Sequence, residues 1–217
     1  MKISLTFDNG PHPIVTPYVL NILKEHGIHA TFFHVGQSLE HPAAAELVMQ
    51  ILAQGHRIGN HSYHHSMPLG KYKSEEAVSE IETVQIKFAE LGLKPNLFRP
   101  CGGGGKINNQ LMHPAALKYL QDNAMSCVLW NCVPEDWIAP DKWCDRALAD
   151  IEQRSWSVVV IHDLENRGME DLTRFIEGAK AKGAEFTLEF PVECVPLRDG
   201  RLQWEMSALM PQSRSYS

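Results

Sequence analysis

Short apolar segments alternate with helical patterns along most of this chain, and this alternation restricts the possible folds more than any other feature. Residues 3–7 are typical of a buried strand, and from Val15 onward apolar residues recur at i+4, i+7 and i+8, on one face of a helix. About seven strand–helix units of this kind follow one another, and strands joined through helices form a parallel sheet. The predicted strands are 3–7, 30–35, 57–60, 97–99, 126–130, 157–161 and 184–188.

Helical patterns supply the connections between these strands. Helices are predicted near 15–23, 42–53, 74–91, 115–122, 141–153 and 168–182, with Gly55 and Gly92 as two of their ends. After residue 190 the pattern changes, because 193–197 and 201–205 flank Asp199-Gly200, a pair that favours a tight hairpin turn. We expect residues 1–190 to form the α/β unit and residues 191–217 to add a hairpin and tail to the same domain.

Polar side chains occur at or just past the carboxyl ends of five predicted strands. Both closed barrels and open parallel sheets place their active sites at these strand ends. A closed ring lets five such ends converge on one point, so an α/β fold of the distorted (β/α)7 barrel type is preferred over an open sheet. The residues concerned are Asp8, His61, Arg99, Trp130 and His162.

Composition limits the partners of the chain. It has 217 residues, 44% hydrophobic and 21% charged, with a formal net charge of −6, which is typical of a single globular domain. A mild acidic excess without a Lys/Arg block argues against nucleic acid or an anionic membrane surface as the main partner. The oligomeric state is left open.

The cysteines and the first residues of the chain indicate the cellular compartment. Five cysteines, an odd number without a C-x-x-C pair, suit reduced thiols rather than disulfides or a structural zinc site. No segment has the form of a signal peptide, and none approaches the ~18 apolar residues that span a bilayer. We expect a cytoplasmic protein with no membrane partner.

Histidines provide the sharpest local signal. His61 and His65 are four residues apart, so on one helical turn both imidazoles would face the same side, while His64 would point elsewhere. Two nitrogen ligands at this spacing are a normal start for a catalytic zinc site, which needs three protein ligands and an open position. The alternative is a solvated loop that happens to be rich in histidine.

Three further segments are each compatible with a functional site, but none of them indicates one by itself. The turn around Asp8 and Asn9 displays two short polar side chains, although Asn-Gly is also a common turn. The glycine run at 102–105 allows close backbone approach to a ligand but lacks the spacing of a phosphate-binding loop. His162 ends a buried strand, which suits either an acid–base group or a structural histidine.

Taken in order, these segments resemble the polysaccharide deacetylase family, which includes chitooligosaccharide deacetylases and forms carbohydrate esterase family four. The five motifs of the family correspond to 6–11, 61–65, 99–103, 130–137 and 160–162, so the resemblance spans roughly residues 1–190. It implies a distorted (β/α)7 barrel that hydrolyses N-acetyl groups of amino sugars with a divalent metal ion.

The resemblance also implies a role for each matching residue. Asp8 is the general base, Arg99 pairs with it, His162 protonates the leaving amine, and Asp136 orients His162. Zn²⁺ is the expected ion, with Co²⁺, Mn²⁺ or Ni²⁺ as alternatives. Its implied ligands are Asn9, His61 and His65; a backbone N–H near Gly102 stabilises the oxyanion, and Trp137 and Val160 line the pocket for the acetyl methyl group.

Two departures from the family pattern keep other functions open. Asn9 replaces the usual metal-binding aspartate, and Cys101 and Gly102 replace a proline and an aromatic residue. The weaker sugar-contact motif allows hydrolysis of another linear or cyclic amide or ureide as an alternative. A degenerate, non-catalytic carbohydrate-binding barrel is a third interpretation, against which the joint presence of a base and an acid argues. The substrate is expected to be an N-acetylated sugar or a small amide.

Overall fold

In the part of the chain that the structure describes, seven parallel strands form one curved sheet, with six α-helices packed outside it. The computed structural model describes residues 1–102 and 108–203. Its strands are β1 Lys2–Asp8, β2 Thr31–His34, β3 Arg57–Asn60, β4 Leu97–Phe98, β5 Ser126–Cys127, β6 Trp156–His162, β7 Glu185–Phe186, β8 Leu197–Arg198 and β9 Arg201–Leu202. Its α-helices are α1 Val15–His26, α2 Ala44–Ala53, α3 Ser74–Glu90, α4 Pro114–Asp122, α5 Trp143–Asp150 and α6 Leu172–Ala181. None of the helices described is long and apolar enough to cross a membrane.

The sheet curls back on itself. Its order is β6-β1-β2-β3-β4-β5, all parallel, followed by the antiparallel strands β8 and β9, while β7 pairs with the start of β1. Beyond β5 the chain reaches β6, where Cys132 pairs with Val159 and the amide of Val160 donates to the carbonyl of Cys132 at 3.0 Å. The predicted α/β fold, a distorted (β/α)7 barrel, is therefore confirmed.

Alternate residues of β1 have different surroundings. Ile3, Leu5 and Phe7 belong to the main apolar core together with residues of α1 and α6. Ser4 and Thr6 lie between them in sequence and are buried but polar, and their hydroxyls donate to the carbonyls of Glu189 and Val159. Because side chains alternate across a strand, the helix-facing side of β1 is apolar, and the polar side leads up the barrel interior to Asp8.

Several strands are shorter than the sequence patterns predict. The segments 97–99, 126–130 and 184–188 contain only two strand residues each. After Val128, whose amide still donates to Phe98, the backbone diverges from β4, since the amide of Leu129 donates to the carbonyl of Cys194 and that of Cys132 to the carbonyl of Val158. The apolar composition of these segments predicts that they are buried. Where the strand pairing ends depends on hydrogen-bond partners that are distant in sequence.

The C-terminal hairpin turn forms at the expected place, but its first strand is only Leu197–Arg198, and Val192–Cys194, which overlaps the predicted strand 193–197, forms a 3-10 turn instead. Asp199 and Gly200 join β8 to β9 with φ values of 49° and 76°, the left-handed pair that a two-residue Asp-Gly turn requires. Leu197 pairs with Cys127 and is fully buried, so the hairpin packs on the end of the sheet. The predicted second strand extended to residue 205; residues 204 and 205 lie outside the described part.

Candidate active site

The carboxyl ends of the parallel strands border one cleft of about 730 Å³. Asp8 lies beside His162 in the register between β1 and β6, and the amide of Arg99 donates to Asn60 at the end of β3. The sheet therefore brings together residues far apart in sequence. Of the residues predicted from the sequence, those that line the cleft are Asp8, Asn9, His61, His65, Gly102, Trp137, Val160 and His162. Arg99 and Asp136 are fully buried behind its wall.

Arg99 and Asp8 form a buried ion pair at the floor of the site. Arg99 Nη1 donates to Asp8 Oδ1 at 2.8 Å and to Thr6 Oγ1 at 2.7 Å, and the guanidinium lies 4.1 Å from the ring centre of Phe33. Burial by itself would raise the pKa of Asp8, but the charge of the adjacent Arg99 lowers it overall. Asp8 is therefore held as a carboxylate.

His61 presents one ring nitrogen to the cleft. Its Nδ1 lies 2.8 Å from the carbonyl oxygen of Arg99, so Nδ1 carries the proton and Nε2 has a free lone pair. Burial lowers the pKa of His61 to about 4, which keeps the imidazole neutral at physiological pH. Nε2 lies 3.5 Å from Asp8 Oδ2. Two acceptors therefore face each other, which is the environment a cation would stabilise.

The segment from His61 to His65 is a loop, so the predicted helical turn is wrong. Ser62 and His65 have φ values of 64° and 54°, and the carbonyls of Ser62 and Tyr63 accept from Gly36 and Gln37. These backbone groups therefore bond outside the segment, where a helix would need them to bond within it. The two imidazoles nonetheless lie together, with ring centres 4.7 Å apart.

Glu80 fixes this loop and was missed in the sequence analysis. It is buried on α3, and its Oε2 accepts from the amides of Tyr63 and His64 at 3.1 and 2.9 Å. The ring of His64 turns away to Glu80 Oε1, as predicted for this histidine. A signal was present, because Glu80 lies three residues after Ala77 and four before Val84, on the apolar face of the helix.

Asn9 offers an amide oxygen to the same region. Its φ of 77° is a left-handed conformation that Asn and Asp tolerate better than other side chains with a Cβ. Within the described residues, Asn9 Oδ1 is buried without a hydrogen-bond partner. No group of three or more His, Cys, Asp or Glu side chains in 1–102 and 108–203 forms a metal site. Together with the imidazoles of His61 and His65, this amide oxygen is a donor set that suits a divalent ion.

His162 and Asp136 form the second titratable pair. Asp136 Oδ1 lies 2.9 Å from His162 Nδ1, and its Oδ2 accepts from the amide of His162 at 2.9 Å. Burial would lower the pKa of His162, but the hydrogen bond and charge of Asp136 outweigh it and raise the pKa. The ring of Trp137 meets that of His162 edge-on, with centres 5.3 Å apart.

The remaining predicted residues complete the wall. Val160 is buried below the cleft, whereas Gly102 is exposed at its rim with a φ of 73°. The rest of the glycine run, 103–105, lies outside the described residues. The thiol of Cys101 donates to the carbonyl of Met67, and burial raises its pKa to about 11. Cys101 is therefore held as a neutral thiol.

Asp163, next to His162, is a second residue missed in the sequence analysis. It is fully buried and accepts a short hydrogen bond from the hydroxyl of Thr16, which ties β6 to α1. Burial raises the pKa of Asp163 to about 7. The sequence around Asp163 does not indicate that it is buried, because the residues that surround it belong to the loop after β1.

These features define an α/β barrel with paired acid–base groups at the carboxyl ends of its strands. Residues 1–130 match the family described as polysaccharide deacetylase. The chain belongs to the polysaccharide deacetylase family, which confirms the resemblance seen in the sequence.

Relatives of known structure or function agree with this assignment. A peptidoglycan-N-acetylglucosamine deacetylase of Bacillus cereus is 32% identical over 193 residues, covering 85% of this chain and 84% of the relative. PgdA of Listeria monocytogenes, a protein of the same description, is 31% identical over 187 residues, covering 85% of this chain. A family 4 carbohydrate esterase from Streptomyces lividans, solved with acetate, superposes with a TM-score of 0.74 at 25% identity, covering 89% of this chain and 95% of that one. The chain spans 37% of the length of the Listeria relative.

The raised pKa of Asp163 predicts a pH-dependent stability. The native state holds this proton more tightly than the unfolded chain, so between about pH 4 and 7 the contribution of Asp163 to stability falls as pH rises. Replacing the carboxyl with an amide, Asp163→Asn, removes up to about 1.4 kcal/mol per pH unit from that slope. The free energy of unfolding in urea, measured at several pH values with chelator present, checks this.

Asp122→Asn, on the exposed end of α4, is the matched control and keeps the wild-type slope. A variant at Asp163 with the same pH slope as wild type would contradict a protonated, buried carboxyl.

Proposed function

We propose that this chain is a hydrolase that removes the N-acetyl group from an amino sugar. One observation carries the proposal: an ionised carboxylate, Asp8, and an Asp136-backed histidine, His162, face a single cleft from adjacent strands. Amide hydrolysis needs a base for the attacking water and an acid for the leaving amine. Membership of the polysaccharide deacetylase family and relatives named as N-acetylglucosamine deacetylases support the N-acetyl group as the target.

Asp8 is proposed to take the proton of the attacking water. Arg99 keeps it ionised and fixes its Oδ1, which leaves Oδ2 to accept the proton. As the C–N bond breaks, His162 gives its proton to the leaving nitrogen, so water and the amide become acetate and a free amine. The hydrogen bond that His162 donates to Asp136 raises the pKa of His162 and so favours the protonated form that this step requires.

A divalent ion is proposed to be held by Asn9, His61 and His65. Support comes from the unpartnered Asn9 Oδ1, the free Nε2 of His61 and the adjacent ring of His65. Zn²⁺ is the proposed ion because imidazole suits it, and Co²⁺, Mn²⁺ and Ni²⁺ are chemically compatible with the same donors. When bound, such an ion supplies Lewis-acid polarisation of the acetamide carbonyl and of the attacking water.

The acyl group is proposed to bind in the part of the cleft next to His162. Val160 and Trp137 line this part of the cleft and offer apolar contact to a methyl group. Gly102 lines the opposite rim, where its backbone N–H is proposed to donate to the developing oxyanion.

Hydrolysis of another linear or cyclic amide is the second candidate function. It is favoured by the rim itself, because Gly102 presents no side chain there against which a sugar ring would stack. A cytoplasmic location remains our prediction, supported by five buried cysteines that form no disulfide.

Acetate release from N-acetylglucosamine oligomers tests the proposed reaction. With added Zn²⁺ we expect acetate to be released and chelator to abolish its release. Asp8→Asn and His162→Gln should each lower kcat by about 10²–10⁴, the usual contribution of a general base or acid.

Asp122→Asn again serves as the matched control and should keep wild-type activity. Full activity in Asp8→Asn would overturn the assignment of the base. Ammonia or amine release from simple or cyclic amides, without acetate release from sugars, would favour the second candidate function.

The amide ligand predicts a modest metal affinity. Wild type should bind Zn²⁺ more weakly than Asn9→Asp, because a carboxylate adds charge at a backbone conformation that both residues tolerate. Titration calorimetry on metal-free protein measures the two affinities, with His61→Ala as the variant that should lose binding.

Intact-mass and peptide analysis must accompany this titration, since deamidation of Asn9 next to Gly10 would create the carboxylate in wild type. Equal or tighter binding by verified wild type would contradict a ligand role for Asn9.

A further inference from the structure

Arg167 carries an unpaired positive charge in the wall of the cleft. The other permanently charged groups described there are compensated: Asp8 by Arg99, and Glu135 by Arg146 at 2.9 Å. Within residues 1–102 and 108–203, no carboxylate lies within ion-pair distance of Arg167. Its Nε is buried without a partner, and its Nη1 reaches only the carbonyl of Trp137, at 3.4 Å.

The loop that bears Arg167 is anchored at the next residue, Gly168. The indole Nε1 of Trp143 donates to the carbonyl of Gly168 at 2.7 Å, and Trp143 is fully buried. Gly168 has a φ of 67° and packs so closely that a Cβ there would lie 2.1 Å from the carbonyl oxygen of Pro140. The guanidinium is therefore presented from a fixed backbone, which lowers the entropy cost of binding an anion.

Arg167 contacts a neighbour of His162, the proposed acid for the leaving amine. Its contact is the carbonyl of Trp137, whose ring lies against His162. In the proposed reaction His162 protonates the amine of the sugar, so Arg167, which lines the same cleft as His162, can be reached by a group that this sugar carries. A neutral sugar would leave its charge unpaired.

We propose that Arg167 binds an anionic group of the substrate, a carboxylate or phosphoryl group on the N-acetylated amino sugar. The proposal rests on the deacetylase function above and narrows its substrate class. A guanidinium matches both groups because its planar N–H donors bond two oxygens at once, and such charged hydrogen bonds are about twice as strong as neutral ones. The overall charge of −6 would otherwise disfavour an anionic ligand, so a local cation matters for this binding.

Matched substrates test the preference. Acetate release is compared for N-acetylglucosamine, its 1- and 6-phosphates and N-acetylmuramic acid, which separates phosphoryl from carboxylate recognition. We expect kcat/KM about 10–100-fold higher for at least one anionic sugar than for the neutral one, from the ~1.5–3 kcal/mol of a hydrogen bond to a charged group. The difference should lie mainly in KM and should shrink at high salt.

Substitutions of Arg167 test whether this residue causes the preference for anionic sugars. Arg167→Gln should remove it through KM, Arg167→Lys should keep part of it, and Arg167→Glu should reverse it. Arg174→Gln, on the exposed face of α6, is the control and should match wild type. Thermal unfolding of each variant confirms that the comparison is made on folded protein.

Binding without turnover separates this proposal from the deacetylase function. Calorimetric titration with glucosamine 6-phosphate, glucosamine and inorganic phosphate reports on Arg167 even if no sugar is deacetylated. Tighter binding of the phosphorylated sugar by wild type than by Arg167→Gln, without acetate release, would reject the function and support the anion site. Equal turnover and equal binding of neutral and anionic sugars, unaffected by Arg167→Gln, would overturn the proposal.

Discussion

The buried guanidinium of Arg99 joins the strands on which the site is built. From the end of β4 it reaches Thr6 and Asp8 on β1, covers the ring of Phe33 on β2 and donates from Nε to the carbonyl of Val128 after β5 at 3.3 Å. Its own carbonyl orients His61. Burying a guanidinium is costly unless it is paired and hydrogen-bonded, so the barrel interior must supply these acceptors.

This arrangement explains how one buried cleft holds titratable groups in different protonation states. Burial alone would neutralise all of them. Asp8 stays ionised because the charge of Arg99 outweighs its burial, His61 stays neutral because burial outweighs its other contacts, and His162 is favoured as a cation because Asp136 faces it. Groups whose surroundings push their pKa values apart are what acid–base chemistry at one pH requires.

The parts of the structure that follow from local pattern could be predicted from the sequence. Asp8, Arg99 and His162 could be predicted as site residues because each follows the end of a strand. Parallel strands align such ends at one edge of a sheet. The helical turn considered for 61–65 does not form, because hydrogen bonds to Gly36 and Glu80 impose a loop, although the i, i+4 spacing also fits a helix. Both arrangements place the imidazoles side by side, so the pair was found from an incorrect local structure.

The groups that could not be predicted act through distant contacts. Glu80 and Asp163 are acidic residues without a motif, and their burial depends on segments more than fifteen residues away in sequence. The same holds for Arg167, whose isolation from every described carboxylate is a property of the folded cleft. Periodicity reports which face of an element is buried, but the partner of a buried charge is set by tertiary structure.

Arg99 and Asp8 stabilise each other as a buried ion pair, and a double-mutant cycle measures this stabilisation directly. The free energies of unfolding of wild type, Arg99→Met, Asp8→Asn and the double variant are compared in urea at pH 7 with chelator present. Each single change should destabilise the protein, and Arg99→Met by about 3–5 kcal/mol, because it leaves Asp8 buried and uncompensated. The double variant should be more stable than the sum predicts, with a coupling of about 1–3 kcal/mol. Additivity within about 0.5 kcal/mol would contradict the account.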